Sequence, residues 1–385
     1  MPLDFAFSEE QELFRRTCRQ FAEKELLPKY AYWDKSDEFP WEISRKMGEV
    51  GLTGLRVPEE YGGADADYVT VGIAAEECSR GDINCTYFVM LGALAADALS
   101  HHAESEELKQ EWLPRVASGE VTIGLALTEP HCGSDAASLT TRAVRDGDYY
   151  VITGEKSSTS MQEGTAVILY AKTDPAAGPR GISAFLVPLD SPGLGRSKFN
   201  DLGEHAVKRG ALHLDGVRIP AKNRIGREGQ GFYIVMNEFD YNRALIALMC
   251  LGAAAQTVDE TMEYVKTRTA FGQPIARFEG VSFPIAEAAT LLEAARLLSY
   301  KALWLTDQKM PHTKEAAMTK WWAPRLSAEV IHQMLLLHGH AGYSDDYLVG
   351  QRLRDVIGLE IGDGTAEVMK MIVSRETIGR EFRAY

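Results

Sequence analysis

Apolar residues recur along the first third of the chain at intervals of three and four. In "SEEQELFRRTCRQFAEKELLPKY", which begins at Ser8, they are Phe14, Cys18, Phe21 and Leu26. Ser8 followed by Gln11 forms a capping box and Pro28 supplies a stop, so the spacing predicts one helix between them. Helical spacing returns at 40–51, 67–80, 84–102 and 104–118, with "LRVPEEYGGADAD" (55–67) as an irregular connection. Between about residues 120 and 235 the period shortens. "DYYVITGEK", "AVILYAKT", "ISAFLVPLD" and "GALHLDGVRIP" are short alternating or apolar runs set off by Gly, Pro and Asp, and they predict strands of a small, mostly antiparallel β-domain. From Tyr233 onward, "NRALIALMCLGAAAQTVDETMEYVKTR" and "VSFPIAEAATLLEAARLLSYKALWLTDQ" are long enough to be bundle helices.

The order α, β, α divides the chain into a helical part at 1–120, a β part at 121–232 and a second helical part at 233–385, an α+β arrangement. A chain of 385 residues exceeds what one core usually organises, so two or three core-bearing layers are expected. Hydrophobic residues at 45% and charged residues at 25% are ordinary for a globular protein. The net charge of −14 repels phosphate over the surface as a whole, which excludes unassisted binding to nucleic acid or to an anionic membrane, although a local basic cluster could hold a phosphorylated ligand.

Cys18, Cys78, Cys85, Cys132 and Cys250 are scattered without a C-x-x-C spacing, and their odd number fits a reducing compartment. No metal site is expected: His338 and His340 form an H-x-H with no third ligand near in sequence. "MPLDFAFSEEQELF" has the features of neither a secretory signal nor a transit peptide. No stretch approaches the ~20 apolar residues of a membrane span, so a cytoplasmic enzyme is the expectation.

Near the C-terminus, "IGDGTAEV" sets Asp363 before a Gly-Thr pair. Alone, Asp-Gly is common turn chemistry, with Gly364 supplying a positive φ after a helix. It gains meaning from "VPEEYGG" (57–63), "LTEPHCGSD" (127–135), "ITGEKSSTS" (152–160), "FDYNR" (239–243), "RTAFGQPI" (268–275), "LHGHAGY" (337–343) and "RLRDVIGLEIGDGTAEV" (352–368). In order, spacing and predicted secondary structure these resemble the acyl-CoA dehydrogenase family along nearly the whole chain. The resemblance implies an N-terminal α-helical domain, a middle β-barrel-like domain and a C-terminal four-helix bundle. It also implies FAD as cofactor, an acyl-CoA substrate, a homotetramer and an electron-transferring flavoprotein as acceptor.

By the same resemblance, Leu127 and Thr128 clamp the polar edge of the flavin, which needs donors there when reduced. Gly133 permits close approach to the ligand, and Ser134 serves both the cofactor and CoA. Where the family usually has Trp and Thr beside the flavin, Ser158 and Ser160 stand here. Ser160 still offers a hydroxyl, whereas Ser158 removes apolar area beside the cofactor. Arg268 offers a fork to pyrophosphate and Phe271 packs at the adenine side of a neighbouring subunit's FAD. Leu336, Gly339, His340, Thr365 and Glu367 extend that cofactor site. Leu336 and His340 replace the usual Gln and Gly, and Glu279 stands where Gln is frequent.

Asp240 and Arg243, a helical turn apart, match contacts to the adenosine-phosphate part of CoA, and the same spacing suits an intrahelical salt bridge equally well. Gly364 borders the substrate. Family members usually have Glu before the Gly-Thr, as the general base that removes the α-proton of an acyl-CoA while hydride leaves Cβ for flavin N5. Asp363 is the carboxylate at that position, and Asn242, at the alternative base position of some members, is an amide that cannot serve. A side chain one methylene shorter, retracted by roughly 1 Å, suits an alicyclic or branched acyl group such as cyclohexane-1-carboxyl-CoA. Three alternatives are a nitroalkane-oxidase-like flavin oxidase, which also uses an aspartate, an acyl-CoA reductase, and a non-enzymatic homologue acting in assembly. Ser134, Asp240 and Arg243 favour CoA over the first, and Asp363 disfavours the last.

Overall fold

The computed structural model describes residues 5–382. Its N-terminal helices are α1 (Glu9–Phe21), α2 (Tyr30–Lys35), α3 (Trp41–Glu49), α4 (Tyr68–Ser79), α5 (Tyr87–Asp97) and α6 (Glu106–Ala117). The strands β1 (Ile123–Ala126), β2 (Arg142–Asp146), β3 (Tyr149–Thr159), β4 (Ala166–Lys172), β5 (Ile182–Pro188), β6 (Leu194–Lys198), β7 (Gly210–Pro220) and β8 (Arg224–Ile225) follow. After α7 (Gly231–Thr267) comes a hairpin, β9 (Thr269–Ala270) and β10 (Gln273–Pro274), and then α8 (Glu279–Asp307), α9 (Thr313–His338), α10 (His340–Tyr343), α11 (Val349–Gly358) and α12 (Ala366–Ile378). Helices, then a sheet, then helices is the expected succession.

The capping box forms as predicted, with Gln11 N–H donating to Ser8 Oγ at 3.1 Å and Ser8 N–H to Gln11 Oε1 at 3.2 Å. Pro28 does not end the helical path. A π-helical turn at Ala22–Leu26 and a 3-10 turn at Leu27–Lys29 carry it into α2. Pro28 stands at the start of the new turn, where a missing N–H costs nothing.

Contacts group the chain into two compact units. One contains Lys35–Ala66 and Tyr87–Asn242, and the other contains the residues up to Asp34, Asp67–Thr86 and those from Arg243 onward. In the first, the eight-stranded sheet has the order β6-β7-β3-β2-β4-β5-β8, with β1 beside β4. Most pairs are antiparallel, as expected, but β1 and β2 both run parallel to β4. Period-2 alternation sends Val167, Leu169 and Ala171 of β4 into a core closed by the strands themselves, with Tyr150, Ile152, Phe185 and Leu212. Ile168 and Tyr170 go to the other face, against Leu94, Leu99, Leu108, Leu113 and Phe239. α5 is apolar on all sides and is accordingly buried all round.

In the other unit α9 packs on α8, α11 and α12. Polar residues of α11 are turned inward: Asp355 accepts from the Tyr30 hydroxyl and from Asn84 Nδ2 at 3.0 Å. Arg352 forks onto Glu260 at 2.6 and 2.8 Å. Burial, reinforced by the charge of Asp355, holds the Tyr30 hydroxyl well above its ordinary pKa, so it stays a donor. Tyr30→Phe removes that donor and nothing else, and is expected to cost about 1–3 kcal/mol in urea denaturation.

Candidate active site

The "LTEPHCGSD" segment leaves β1 and is fastened from beneath by Lys156 of β3, whose side chain is fully buried. Lys156 Nζ donates to Leu127 O at 3.1 Å and to Glu129 Oε1 at 2.8 Å. Ser157 N–H donates to Thr128 O at 2.8 Å. Glu129 also accepts from Thr140 N–H (2.7 Å), Thr140 Oγ1 (2.9 Å) and Thr141 N–H (2.9 Å), which closes the loop 129–141 at its base. Gly133 and Ser134 stand exposed on that loop. A Cβ at Gly133 would meet only Thr128 Cγ2, at 3.9 Å, so the backbone there is open to a ligand. Burial alone would raise the Glu129 carboxyl, but Lys156 and the threonine donors outweigh it and bring it down to about 2.

After Lys156, β3 loses register with β7, and Ser158 takes φ +54 at the irregularity, with its side chain exposed. Ser160 is half-buried. Between them the Thr159 hydroxyl is buried with no hydrogen-bond partner. The same unit holds half-buried Asp240 near its end.

In the other unit Asp363 lies in the turn between α11 and α12, with φ +55, followed by Gly364 at +108. Thr365 caps α12 through its side chain. Arg243, 5% exposed, donates from Nε to Asp363 O at 3.3 Å. Lys320 of α9, 1% exposed, donates to Leu359 O at 2.8 Å and Gly364 O at 3.1 Å. Arg243, Asp363, Gly364 and Thr365 are therefore brought together, and Glu367 is exposed in the first turn of α12. Asn242, in the unit of the sheet, is fully buried.

The hairpin β9–β10 carries Arg268 and Phe271, both exposed, and Phe271 is 95% so, at φ +53. Four residues before Arg268, Tyr264 stacks on His338 with ring centres 4.3 Å apart and donates its hydroxyl to His338 O at 3.2 Å. That contact joins the hairpin's base to the end of α9, where Leu336, Gly339 and His340 are exposed. The two histidines part: His338 is buried against Tyr264 while His340 faces solvent. Among the described residues, Glu129, His131 and Cys132 bring ligand atoms within 4.8 Å of one another, but both Glu129 oxygens already accept from Lys156, Thr140 and Thr141. All five cysteines are buried and unbridged.

Models of the acyl-CoA dehydrogenase N-terminal, middle and C-terminal domains match residues 8–120, 124–217 and 229–378. The bovine mitochondrial short-chain specific acyl-CoA dehydrogenase is 39% identical over 368 residues, which cover 95% of this chain and 89% of that protein. The chain belongs to the acyl-CoA dehydrogenase family. Subunit CarC of the caffeyl-CoA reductase-Etf complex of Acetobacterium woodii is 36% identical over 96% of this chain and 98% of that one. The structure of butyryl-CoA dehydrogenase from Megasphaera elsdenii superposes with a TM-score of 0.93 at 30% identity, covering 98% of this chain and all of that one. An acyl-CoA dehydrogenase is an FAD-dependent oxidoreductase acting on CH–CH donors, and this chain is one. None of its described helices is long and apolar enough to cross a membrane.

The motifs did not reveal the two buried lysines. Period-2 alternation puts Lys156 on the apolar face of β3 with Tyr150 and Ile152, and a cation there needs an anion. Because the folded pKa of Glu129 is depressed from 4.5 to about 2, its stabilisation is complete above 4.5 and lost as pH falls through that interval. Glu129→Gln is expected to be less stable at neutral pH and to lose this part of the acid dependence, read as the unfolding midpoint against pH.

Proposed function

We propose that this acyl-CoA dehydrogenase acts on an alicyclic or branched acyl-CoA, with Asp363 as the base that takes the α-proton. The observation that carries this reading is the tethered turn: the carbonyls of Leu359, Asp363 and Gly364 are held by Lys320 and Arg243. A carboxylate on so fixed a backbone reaches only as far as its one methylene allows. The α-carbon must then come to it, as a ring or branched carbon seated higher than a straight chain would. Asn242, at the alternative position, accepts no proton.

The open backbone at Gly133 and the buried unpartnered Thr159 hydroxyl suit a polar planar ligand, so the residues around "LTEPHCGSD" fit FAD. Leu127, Thr128, Ser158 and Ser160 would hold its ring. When bound, it supplies the acceptor for the hydride from Cβ. Ser134, Asp240 and Arg243 would hold CoA. Gly364 would border the thioester.

We further propose a cytoplasmic homotetramer that passes electrons to an electron-transferring flavoprotein. An exposed phenylalanine beside an exposed arginine on a hairpin is poorly suited to water and well suited to a neighbouring subunit's FAD. Leu336, Gly339, His340, Thr365 and Glu367 would complete that contact. The likeness to a subunit named for an Etf complex supports the acceptor.

Asp363→Asn keeps shape and hydrogen bonding but removes the base. FAD and thioester binding should persist while kcat falls by about two to four orders of magnitude. Near-normal turnover would overturn Asp363 as base. Asp363→Glu should lower kcat/KM for a cyclic thioester and raise relative activity on a linear one, and an unchanged preference would discard the argument from reach. Arg268→Ala should lose flavin and weaken the oligomer together, read by absorbance and sedimentation; loss of neither removes the intersubunit site.

A further inference from the structure

We infer that Lys320 is a positioning residue for the base, resting on the reading of Asp363 above: its ammonium clasps the turn that carries Asp363 and sets the field in which that carboxylate works. The inference starts from where Lys320 stands. At helical spacing along α9 it shares a face with Ala316, Ala323, Ser327, Ile331 and Met334, all buried, where an apolar residue would serve packing alone. The ammonium instead bonds Leu359 O at 2.8 Å and Gly364 O at 3.1 Å, at the start of the turn and just past Asp363. These two bonds bracket Asp363, and Arg243 holds the carbonyl of Asp363 itself.

The charged and titratable groups acting on Lys320 come from the two elements around it. From the turn these are Asp363 and Glu360, and from α7 they are Cys250 and Arg243. Burial pulls the ammonium down to about 8, against Asp363, so it remains charged at neutral pH. A cation held beside a base also favours the base's ionised form. Lys320 therefore has two effects that packing lacks: it fixes the position of the carboxylate, and it favours its anion.

The test uses the FAD-loaded enzyme with a CoA thioester turned over by the wild type, comparing Lys320→Met, Lys320→Arg and Asp363→Asn. Lys320→Met matches the stem in length and removes donors and charge. It is expected to keep FAD and KM within about threefold while kcat falls ~10²-fold, the scale of an ångström's misplacement. The acid limb of kcat/KM against pH should move to higher pH, because a base deprived of a neighbouring cation gains its proton more readily. Amide hydrogen exchange should quicken in 359–365 and stay unchanged in β1–β8, a readout independent of turnover. Lys320→Arg, which keeps the charge, should restore the acid limb toward wild type even where its larger head lowers kcat.

Should Lys320→Met fail to fold, Lys320→Gln, which keeps a donor without the charge, is read for the same displacement of the acid limb. An unmoved acid limb with kcat within threefold of wild type overturns the role of Lys320. If Asp363→Asn is inactive in the same series, the assignment of the base still stands. An active Asp363→Asn removes the base and this inference together.

Discussion

Taking an ammonium group out of water costs more than one hydrogen bond returns, so a lysine can be buried only where the surrounding chain is shaped to supply oxygens. Lys156 and Lys320 impose that requirement in separate units of this protein. Around Lys156 it bends the segment after β1 so that Leu127 O and Glu129 converge on one nitrogen. Around Lys320 it draws Leu359 O and Gly364 O inward from both ends of a turn. In each case the backbone beside the proposed chemistry lies where a buried cation holds it.

This division of labour explains the character of the site residues. Thr128, Gly133, Ser134 and Asp363 are half-buried or exposed, whereas Lys156, Glu129, Lys320 and Arg243 beneath them are buried. Positive φ at Ser158 and Asp363, each uncommon for a residue with a side chain, occurs where the backbone is fastened on either side. The cost of such conformations falls on the supporting contacts and not on the ligand.

How much of this was legible in the sequence depended on how local the cause was. The Ser8–Gln11 box acts within one turn and forms as read. The strands of "AVILYAKT" and "ISAFLVPLD" follow from alternation. Pro28 misled because a stop signal competes with the possibility of restarting helix on its far side through a π turn, which no residue in "KELLPKY" advertises. β1, four residues in length, carries too few positions for alternation to register. Asp363 could be found from its motif, but its fastening could not, because Arg243 and Lys320 lie 120 and 43 residues away. The charges at Lys156 and Lys320 were visible as breaks in apolar faces. A buried cation can be suspected from such a break, while the carbonyls that meet it can be located only in the fold.

The bond between Tyr30 and Asp355 spans 325 residues of chain. Its unit is assembled from the first residues, a short middle stretch and everything after Arg243, whereas the unit of the sheet needs no residue beyond Asn242. During synthesis the sheet unit therefore has all its parts while the chain is still being made, and α1 meets α4 early, but Tyr30 and Asp34 of α2 must wait for Asp355 and Arg354 of α11 to emerge. The second helix translated is among the last to find all its partners. The apolar side of α1 can close on α4 once Ser79 has emerged, whereas the buried hydroxyl of Tyr30 goes without its acceptor for most of the time the ribosome takes to finish the protein.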